Sequence, residues 1–264
     1  MREKLFIIKI GGTLIDDETE LNEFLKQFAS IKAAKILIHG GGKLATTLAD
    51  KLSIPQQMIE GRRVTDKATL NIVTMVYAGS INKNIVAKLQ QLNCNSIGLS
   101  GADANLIEAT IRSKEDVDFG YVGDVSKEHV NVSVISRLLE ADLTPVFSSV
   151  THDHHGTLLN TNADSIASVV AEAMSEQFDT ELLYCFDRDG VLEDVDNPDS
   201  VIKKICEKDF NELKSQNKLS KGILPKLENA LKAKKAGVAN VALINENKLQ
   251  NHIENHHEGT VICL

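Results

Sequence analysis

Six short apolar runs, at residues 5–10, 35–38, 96–99, 145–148, 181–186 and 238–244, recur along the chain with little polar interruption. Runs of this kind read as strands covered on both faces, the pattern of a parallel sheet. Between them lie stretches with apolar residues at helical spacing, at 18–33, 43–52, 66–92, 132–141, 162–175, 208–216 and 225–236. Strands alternating with helices imply right-handed crossovers. The expected class is therefore α/β, a three-layer αβα sandwich around an open, mostly parallel central sheet. Shorter β-like pieces near 58–64, 106–112, 121–125 and 156–160 carry turn residues and read as hairpins standing off that sheet. The chain has only four prolines and no Gly/Ser-rich linker. If it has two lobes, the join falls near 176–179, separating residues 1–178 from 179–264.

One residue breaks the apolar pattern of the first run. Lys9 stands in Leu5-Phe6-Ile7-Ile8-Lys9-Ile10, directly before Gly11-Gly12. An ammonium in a buried strand is costly unless an anion neutralises it. A second turn, His39-Gly40-Gly41-Gly42, follows the second run. Glycine turns at the carboxyl ends of strands let backbone N–H groups approach a ligand, and they commonly open helices whose N-termini favour anions. A phosphate or carboxylate is the expected guest.

Composition narrows the choice of guest. The 264 residues carry a formal charge of −8, with no Lys/Arg block, which argues against nucleic acid or an anionic membrane as a partner. No run reaches the roughly 18 apolar residues of a membrane span, and the amino terminus lacks the apolar core of a signal peptide, so a cytoplasmic setting is expected. Cys94, Cys185, Cys206 and Cys263 are far apart without a C-x-x-C pair. They read as reduced thiols.

Other segments could carry chemistry. Lys226 follows Pro225, which suits a first helical position, so the lysine falls in a first turn where it opposes the helix dipole. Solvent would tolerate it there, and a polyphosphate would use it. In Asn160-Thr161-Asn162-Ala163-Asp164, Asn162 is a natural N-cap and Asp164 a first-turn acid. The same carboxylate, set between two lysines, would also hold their ammonium groups together. Arg62 and Arg63, in Glu60-Gly61-Arg62-Arg63-Val64-Thr65-Asp66, offer guanidinium forks for a carboxylate, before a helix capped by Thr65 or Asp66. The histidines at 152–155 and 252–257 read as polar turns without metal-ligand spacing. Gly40-Gly41-Gly42-Lys43-Leu44-Ala45 satisfies the G-x-G-x-x-A pattern of dinucleotide folds, with Glu60 at the distance of a ribose-binding acid, so an NAD-dependent oxidoreductase is a remote alternative. No Walker-type phosphate loop occurs.

Taken in order and spacing, Lys9-Ile10-Gly11-Gly12, His39-Gly40-Gly41-Gly42, Gly61-Arg62-Arg63-Val64-Thr65, Asn160-Thr161-Asn162-Ala163-Asp164 and Lys226 resemble the amino acid kinase family, and most closely its acylglutamate branch. The resemblance implies a carbamate kinase-like sandwich with an N-terminal lobe for the acylated amino acid and dimerisation, and a C-terminal lobe for ATP. It implies that Lys9 and Lys226 stabilise the transferring phosphoryl group and that Asp164 organises them. Gly41, Gly42, Arg63 and Asn160 would hold the acylglutamate, while Gly11, Gly12, Asp187 and Gly190 would face the nucleotide. Arg188 is unusual for the nucleotide loop of such relatives, and Val261 stands where they place a basic residue after the Gly-Thr pair. Only eight residues precede Lys9, whereas arginine-inhibited relatives carry an additional N-terminal helix that builds hexamers. An arginine-insensitive homodimer is the expectation.

The implied reaction suits these residues. A γ-carboxylate is already ionised at neutral pH and needs no general base. It needs positive charge, because it must approach the γ-phosphate of ATP and the transition state spreads negative charge over equatorial oxygens. Lysines, backbone N–H groups and Mg2+ arriving with ATP supply it. In arginine biosynthesis the acyl group of such relatives is acetyl; a longer succinyl group would fit if a cation lined the pocket.

Overall fold

A computed structural model describes residues 2–59, 62–113, 117–194, 196–216, 218–220, 222–255 and 258–264. Glu60 and Gly61 of the arginine segment, and His256 and His257, lie outside the described residues.

In the first half of the chain, β1 (Lys4–Ile10), α1 (Gly12–Asp16), α2 (Glu18–Ser30), β2 (Ala34–His39) and α3 (Gly42–Lys51) alternate as expected. They are followed by the hairpin β3 (Gln57–Ile59) and β4 (Arg62–Val64), then α4 (Lys67–Val73), α5 (Asn82–Gln91), β5 (Ser96–Leu99), β6 (Thr110–Ile111) and β7 (Val122–Asp124). Next come α6 (Val132–Glu140), β8 (Thr144–Ser148), β9 (Val150–His152), β10 (Leu158–Thr161) and α7 (Ala163–Met174). The remainder holds β11 (Asp179–Phe186), β12 (Lys204–Ile205), α8 (Glu207–Ser215), α9 (Leu224–Lys235), β13 (Asn240–Asn245), α10 (Leu249–Asn255) and β14 (Thr260–Ile262).

Eight strands form the main sheet in the order β12-β14-β13-β11-β1-β2-β8-β5. All pairs are parallel except β13 with β14. β1 lies inside the sheet between β11 and β2, which explains its nearly unbroken apolar sequence. Because side chains alternate across a strand, Leu5 and Ile7 enter one core with Ile166, Ala167 and Val170 of α7, while Phe6, Ile8 and Ile10 enter the other with Phe24, Leu25 and Phe28 of α2. Lys9 shares the face of Leu5 and Ile7, the face that α7 covers. That alternation is what brings it to Asp164.

Three features differ from the sequence reading. The expected helix 66–92 is α4 and α5 joined by a π-helical stretch, Thr74–Ile81. Its start is set by Asp66, whose carboxylate accepts from the Thr69 N–H, rather than by Thr65. The piece at 58–64 is the separate β3–β4 hairpin as expected, whereas the other three combine with β9, through parallel pairing of β7 with β10, into a four-stranded sheet of order β6-β7-β10-β9. Cys206 and Cys263 are joined in a disulfide, contrary to the reading of all four cysteines as reduced thiols. Parallel pairing of β12 and β14 places the residues that follow them side by side, with Cα atoms 4.5 Å apart, although 57 positions separate them in sequence. Cys94 and Cys185 are free and buried.

Candidate active site

The two glycine turns lie at the carboxyl ends of β1 and β2, inside the sheet, where α1 and α3 begin. Ligands bind in the crevice outside the carboxyl ends of strands in open α/β sheets. Gly41 has φ 156°, where an L side chain is strained, and a Cβ there would fall 2.1 Å from Ile81 Cδ1 and 3.1 Å from Tyr77 Cδ1, so those side chains would have to shift. Both contacts come from the π-helical stretch, and Tyr77 also lines the cavity in front of the turn. Such distortions of helices recur at functional sites.

His39 fixes the second turn from behind. Its ring is completely buried, with Nδ1 donating to the Gly40 carbonyl at 2.8 Å, which leaves Nε2 to accept from the Asn82 amide at 3.1 Å. Burial lowers its pKa to about 4, so it is neutral and structural.

Lys9 meets its anion within the protein. Its Nζ lies 2.7 Å from Asp164 Oδ1, and Lys226 Nζ lies 2.6 Å from Asp164 Oδ2. Asn162 caps α7 by accepting from the Ser165 N–H, so Asp164 falls in its first turn, and Pro225 opens α9 so that Lys226 falls in its first turn. The capping role of Asn162 and the bridging role of Asp164 thus coexist. Tyr184, beside Lys9 in the β1–β11 register, donates its hydroxyl to the Asp164 carbonyl at 3.1 Å and steadies that turn. Nothing in the sequence flagged it, since a tyrosine in a buried strand is ordinary core; its partner is 20 residues away.

The electrostatics follow from burial and pairing. Desolvation pulls the Lys9 ammonium down to about 8, against the opposing effect of Asp164 and with that of Lys226. Burial would raise the Asp164 carboxyl, but Lys9 and Lys226 outweigh it and hold it at about 2. The carboxylate stays ionised, and the cluster presents one net positive charge when both lysines are protonated.

Two cavities open on this cluster. The first, of ≈ 230 Å³, is lined by Lys9, Gly12, Gly40, Gly41, Gly42, Arg63, Asn160 and Asp164, together with Met58, Arg62, Tyr77, Arg112 and Val122. The second, of ≈ 350 Å³, is lined by Lys9, Gly11, Gly12, Asp187, Arg188, Gly190 and Lys226, with Lys218, Leu219, Ser220, Gly222 and Ile223 along one side. Lys9 and Gly12 belong to both. All eleven expected site residues therefore line one or both cavities. Arg63 is buried and already bonds Gln56, the Gly42 carbonyl at 2.8 Å and Thr46 Oγ1 at 2.8 Å, so it also ties the β3–β4 hairpin to α3. Asn160 donates to Thr65 Oγ1 at 3.0 Å. Gly190 is held by Thr260, whose hydroxyl accepts from the Val191 N–H at 2.8 Å and donates to the Ile202 carbonyl at 2.6 Å. Thr260 comes from the far end of the chain, so its contact with the turn at Gly190 was signalled in the sequence only by the Gly259-Thr260 pair. Arg112 and Tyr77 were not anticipated at all.

The chain is similar over nearly its whole length to known proteins. Residues 4–245 match the profile of the amino acid kinase family. The chain is 51% identical to the acetylglutamate kinase of Cytophaga hutchinsonii over 256 residues, covering 93% of this chain and 96% of that protein. It is 46% identical to the acetylglutamate kinase of Phocaeicola vulgatus over 262 residues, 99% of each chain. Among solved structures, smu.665 from Streptococcus mutans UA159 superposes with a TM-score of 0.80 at 28% identity, covering 98% of both chains.

Proposed function

The chain belongs to the amino acid kinase family, and from that premise we propose that it is an enzyme transferring the γ-phosphoryl group of ATP to the γ-carboxylate of N-acetyl-L-glutamate, the acyl-phosphate-forming step of arginine biosynthesis. The observation that carries this reading is the sharing of Lys9 and Gly12 by two cavities at the Lys9–Asp164–Lys226 cluster. A donor and an acceptor can thus meet at one cationic point. The acetylglutamate kinases at 46–51% identity support the choice of acceptor.

In this reading the cavity with Gly41, Gly42, Arg63 and Asn160 takes the acylglutamate, and the cavity with Gly11, Gly12, Asp187 and Gly190 takes ATP. The lining supports a division of labour between residues 1–178 and 179–264: among the described residues none beyond 164 lines the first cavity, whereas Phe186, Asp187, Gly190, Ile223 and Lys226 help to complete the second. Arg63 receives the α-carboxylate, which must share the guanidinium with its protein acceptors. The γ-carboxylate then points at Lys9. Lys9 and Lys226 reach the phosphoryl group from the two sides of Asp164, so they offset the repulsion between carboxylate and phosphate and the charge that develops on the equatorial oxygens. Asp164 keeps both ammonium groups in place without taking a proton. Asp187 on the nucleotide side suits Mg2+ bound mainly through phosphate oxygens, with water and one or two carboxylates. The ion would arrive with ATP and neutralise phosphate charge.

The proposal extends to a homodimer in the cytoplasm; among the described residues no helix is long and apolar enough to cross a membrane. Light scattering tests the dimer. The activity is tested by incubating the protein with ATP, Mg2+ and N-acetyl-L-glutamate in hydroxylamine, which captures an acyl phosphate as its hydroxamate. Hydroxamate formed in step with ADP supports the reading, and ADP without hydroxamate refutes it.

A further inference from the structure

Neither Cys206 nor Cys263 lines either cavity, yet the bridge between them closes a loop that carries much of the second one. It joins residues 57 positions apart. Leu219, Ser220, Gly222, Ile223 and Lys226, all lining the nucleotide cavity, fall inside that loop. The described residues that line the acceptor cavity all precede it.

A short series of hydrogen bonds links the bridge to the nucleotide side. β12 has two residues, stands at the edge of the main sheet and pairs with β14. Beside the bridge, the Cys263 N–H donates to the Ile205 carbonyl at 3.0 Å and the Val261 N–H to the Lys203 carbonyl at 2.9 Å. One step further, the Ile202 carbonyl accepts from the Thr260 hydroxyl at 2.6 Å, and the Ile202 N–H donates to the Val191 carbonyl at 2.8 Å. Thr260 also accepts from the Val191 N–H, directly after Gly190. The turn at Gly190 is therefore held by the two chain segments that the bridge joins. A ladder of two residue pairs at a sheet edge opens easily, and a cross-link at its end opposes that opening. The bridge is also accessible: Cys206 and Cys263 are partly exposed, whereas Cys94 and Cys185 are buried. Exposed bridges are the labile ones, and the disulfides found where small thiols keep cysteines reduced are usually transient, catalytic or redox-sensing.

Resting on the cytoplasmic setting and the placement of ATP proposed above, we propose that Cys206 and Cys263 form a reversible thiol–disulfide exchange site for small thiols such as glutathione, whose bridged form holds the nucleotide side in its ATP-binding shape. Opening consumes two thiols. The first, as thiolate, attacks one sulfur of the bridge, giving a mixed disulfide and one free protein thiol. The second attacks the mixed disulfide, releasing the oxidised small disulfide and the other protein thiol. Two electrons pass from the small thiols to the bridge, and their two protons end on Cys206 and Cys263. The oxidised small disulfide re-forms the bridge by the reverse steps. The acceptor cavity, built from residues before the loop, is left as it was.

The test equilibrates the unaltered enzyme in glutathione buffers from fully oxidised to fully reduced. Alkylation under denaturing conditions with mass spectrometry counts free thiols, calorimetry gives the Kd for ATP, and steady-state kinetics give both KM values. Two of the four cysteines should be alkylated in the bridged form and all four in the open form, with peptide mapping placing the change at Cys206 and Cys263. Over the same range Kd and KM for ATP should rise by about three- to tenfold, the scale of loosening one or two hydrogen bonds, while KM for N-acetyl-L-glutamate stays within about twofold. Cys206→Ser should sit near the open-form value for ATP and no longer respond to glutathione. A bridge that excess reduced glutathione leaves closed, four free thiols in every buffer, equal ATP affinity in the two forms, or an equal rise in both KM values would overturn the proposal. The titration of the unaltered enzyme decides the matter even if the variant folds poorly. ADP release with N-acetyl-L-glutamate in neither form would instead overturn the acylglutamate reading, and the calorimetric affinity for ATP would still decide this one.

Discussion

Replacing Asp164 by Asn removes one charge from between two ammonium groups while keeping the shape of the side chain. In the native protein the Lys9 ammonium is held at about 8, below its ordinary 10.5, because burial costs more than pairing returns. That is a destabilisation of about 3 kcal/mol at neutral pH, present below the folded pKa and gone once pH exceeds the unfolded one. Asp164, held at about 2 rather than 3.8, contributes about 2–3 kcal/mol above pH 4, lost as pH falls toward 2. Asn cannot supply this, and Lys9 would face Lys226 with no counter-charge. Breaking a buried pair in this way costs about 3–5 kcal/mol. The loss should shrink as pH rises through 8 to about 10, because Lys9 sheds its proton and no longer needs a partner. Denaturant titration of both proteins at about pH 6.5 and about pH 10 measures this. A loss below about 1 kcal/mol, or one that does not change with pH, would refute the role of Asp164 in holding one buried and one half-buried cation.

Three further expectations follow from the same geometry. Lys226→Ala should lower kcat by about a hundredfold or more, with a melting temperature close to that of the native protein, since Lys9 still pairs with Asp164; steady-state kinetics that leave kcat unchanged would remove Lys226 from the site. Arg63→Ala should raise KM for the acylglutamate while sparing that for ATP, and should also lower the melting temperature, because Arg63 bonds Gln56, Gly42 and Thr46 as well as lining the cavity; a loss of ATP affinity would misplace it. For the free enzyme, kcat/KM should fall as pH rises through about 8, where Lys9 loses its charge; a profile flat to pH 10 would separate Lys9 from catalysis.

Much of the site was legible because its residues are anomalies in local patterns. A lysine in an apolar run, a lysine in a first helical turn and glycines at strand ends each conflict with what stability alone would choose, so Lys9, Lys226 and Gly41 stood out. The parallel sheet was legible for a similar reason, since strands covered on both faces carry unbroken apolar runs. What could not be read depends on pairing between distant segments. The Cys206–Cys263 bridge follows from the β12–β14 ladder, whose strands are too short to show periodicity. The second sheet is assembled from pieces of two to four residues, and Arg112 reaches the cavity only because that sheet stands beside the β3–β4 hairpin. Tyr184 is apolar core by composition and becomes a positioning residue only through the hydrogen bond of its hydroxyl. The π-helical turn that packs Tyr77 and Ile81 on Gly41 has the same apolar sequence as an α-helix would.

The central claim is that phosphoryl transfer to a carboxylate occurs at the Lys9–Asp164–Lys226 cluster. Phosphorus NMR of the protein with ATP, Mg2+ and N-acetyl-L-glutamate observes it directly, with Lys9→Met as the control. An acyl-phosphate resonance growing as the γ-phosphate of ATP declines, and lost in Lys9→Met, is the expected result. ATP consumed without an acyl phosphate, or the same resonance appearing at the same rate in Lys9→Met, would contradict it.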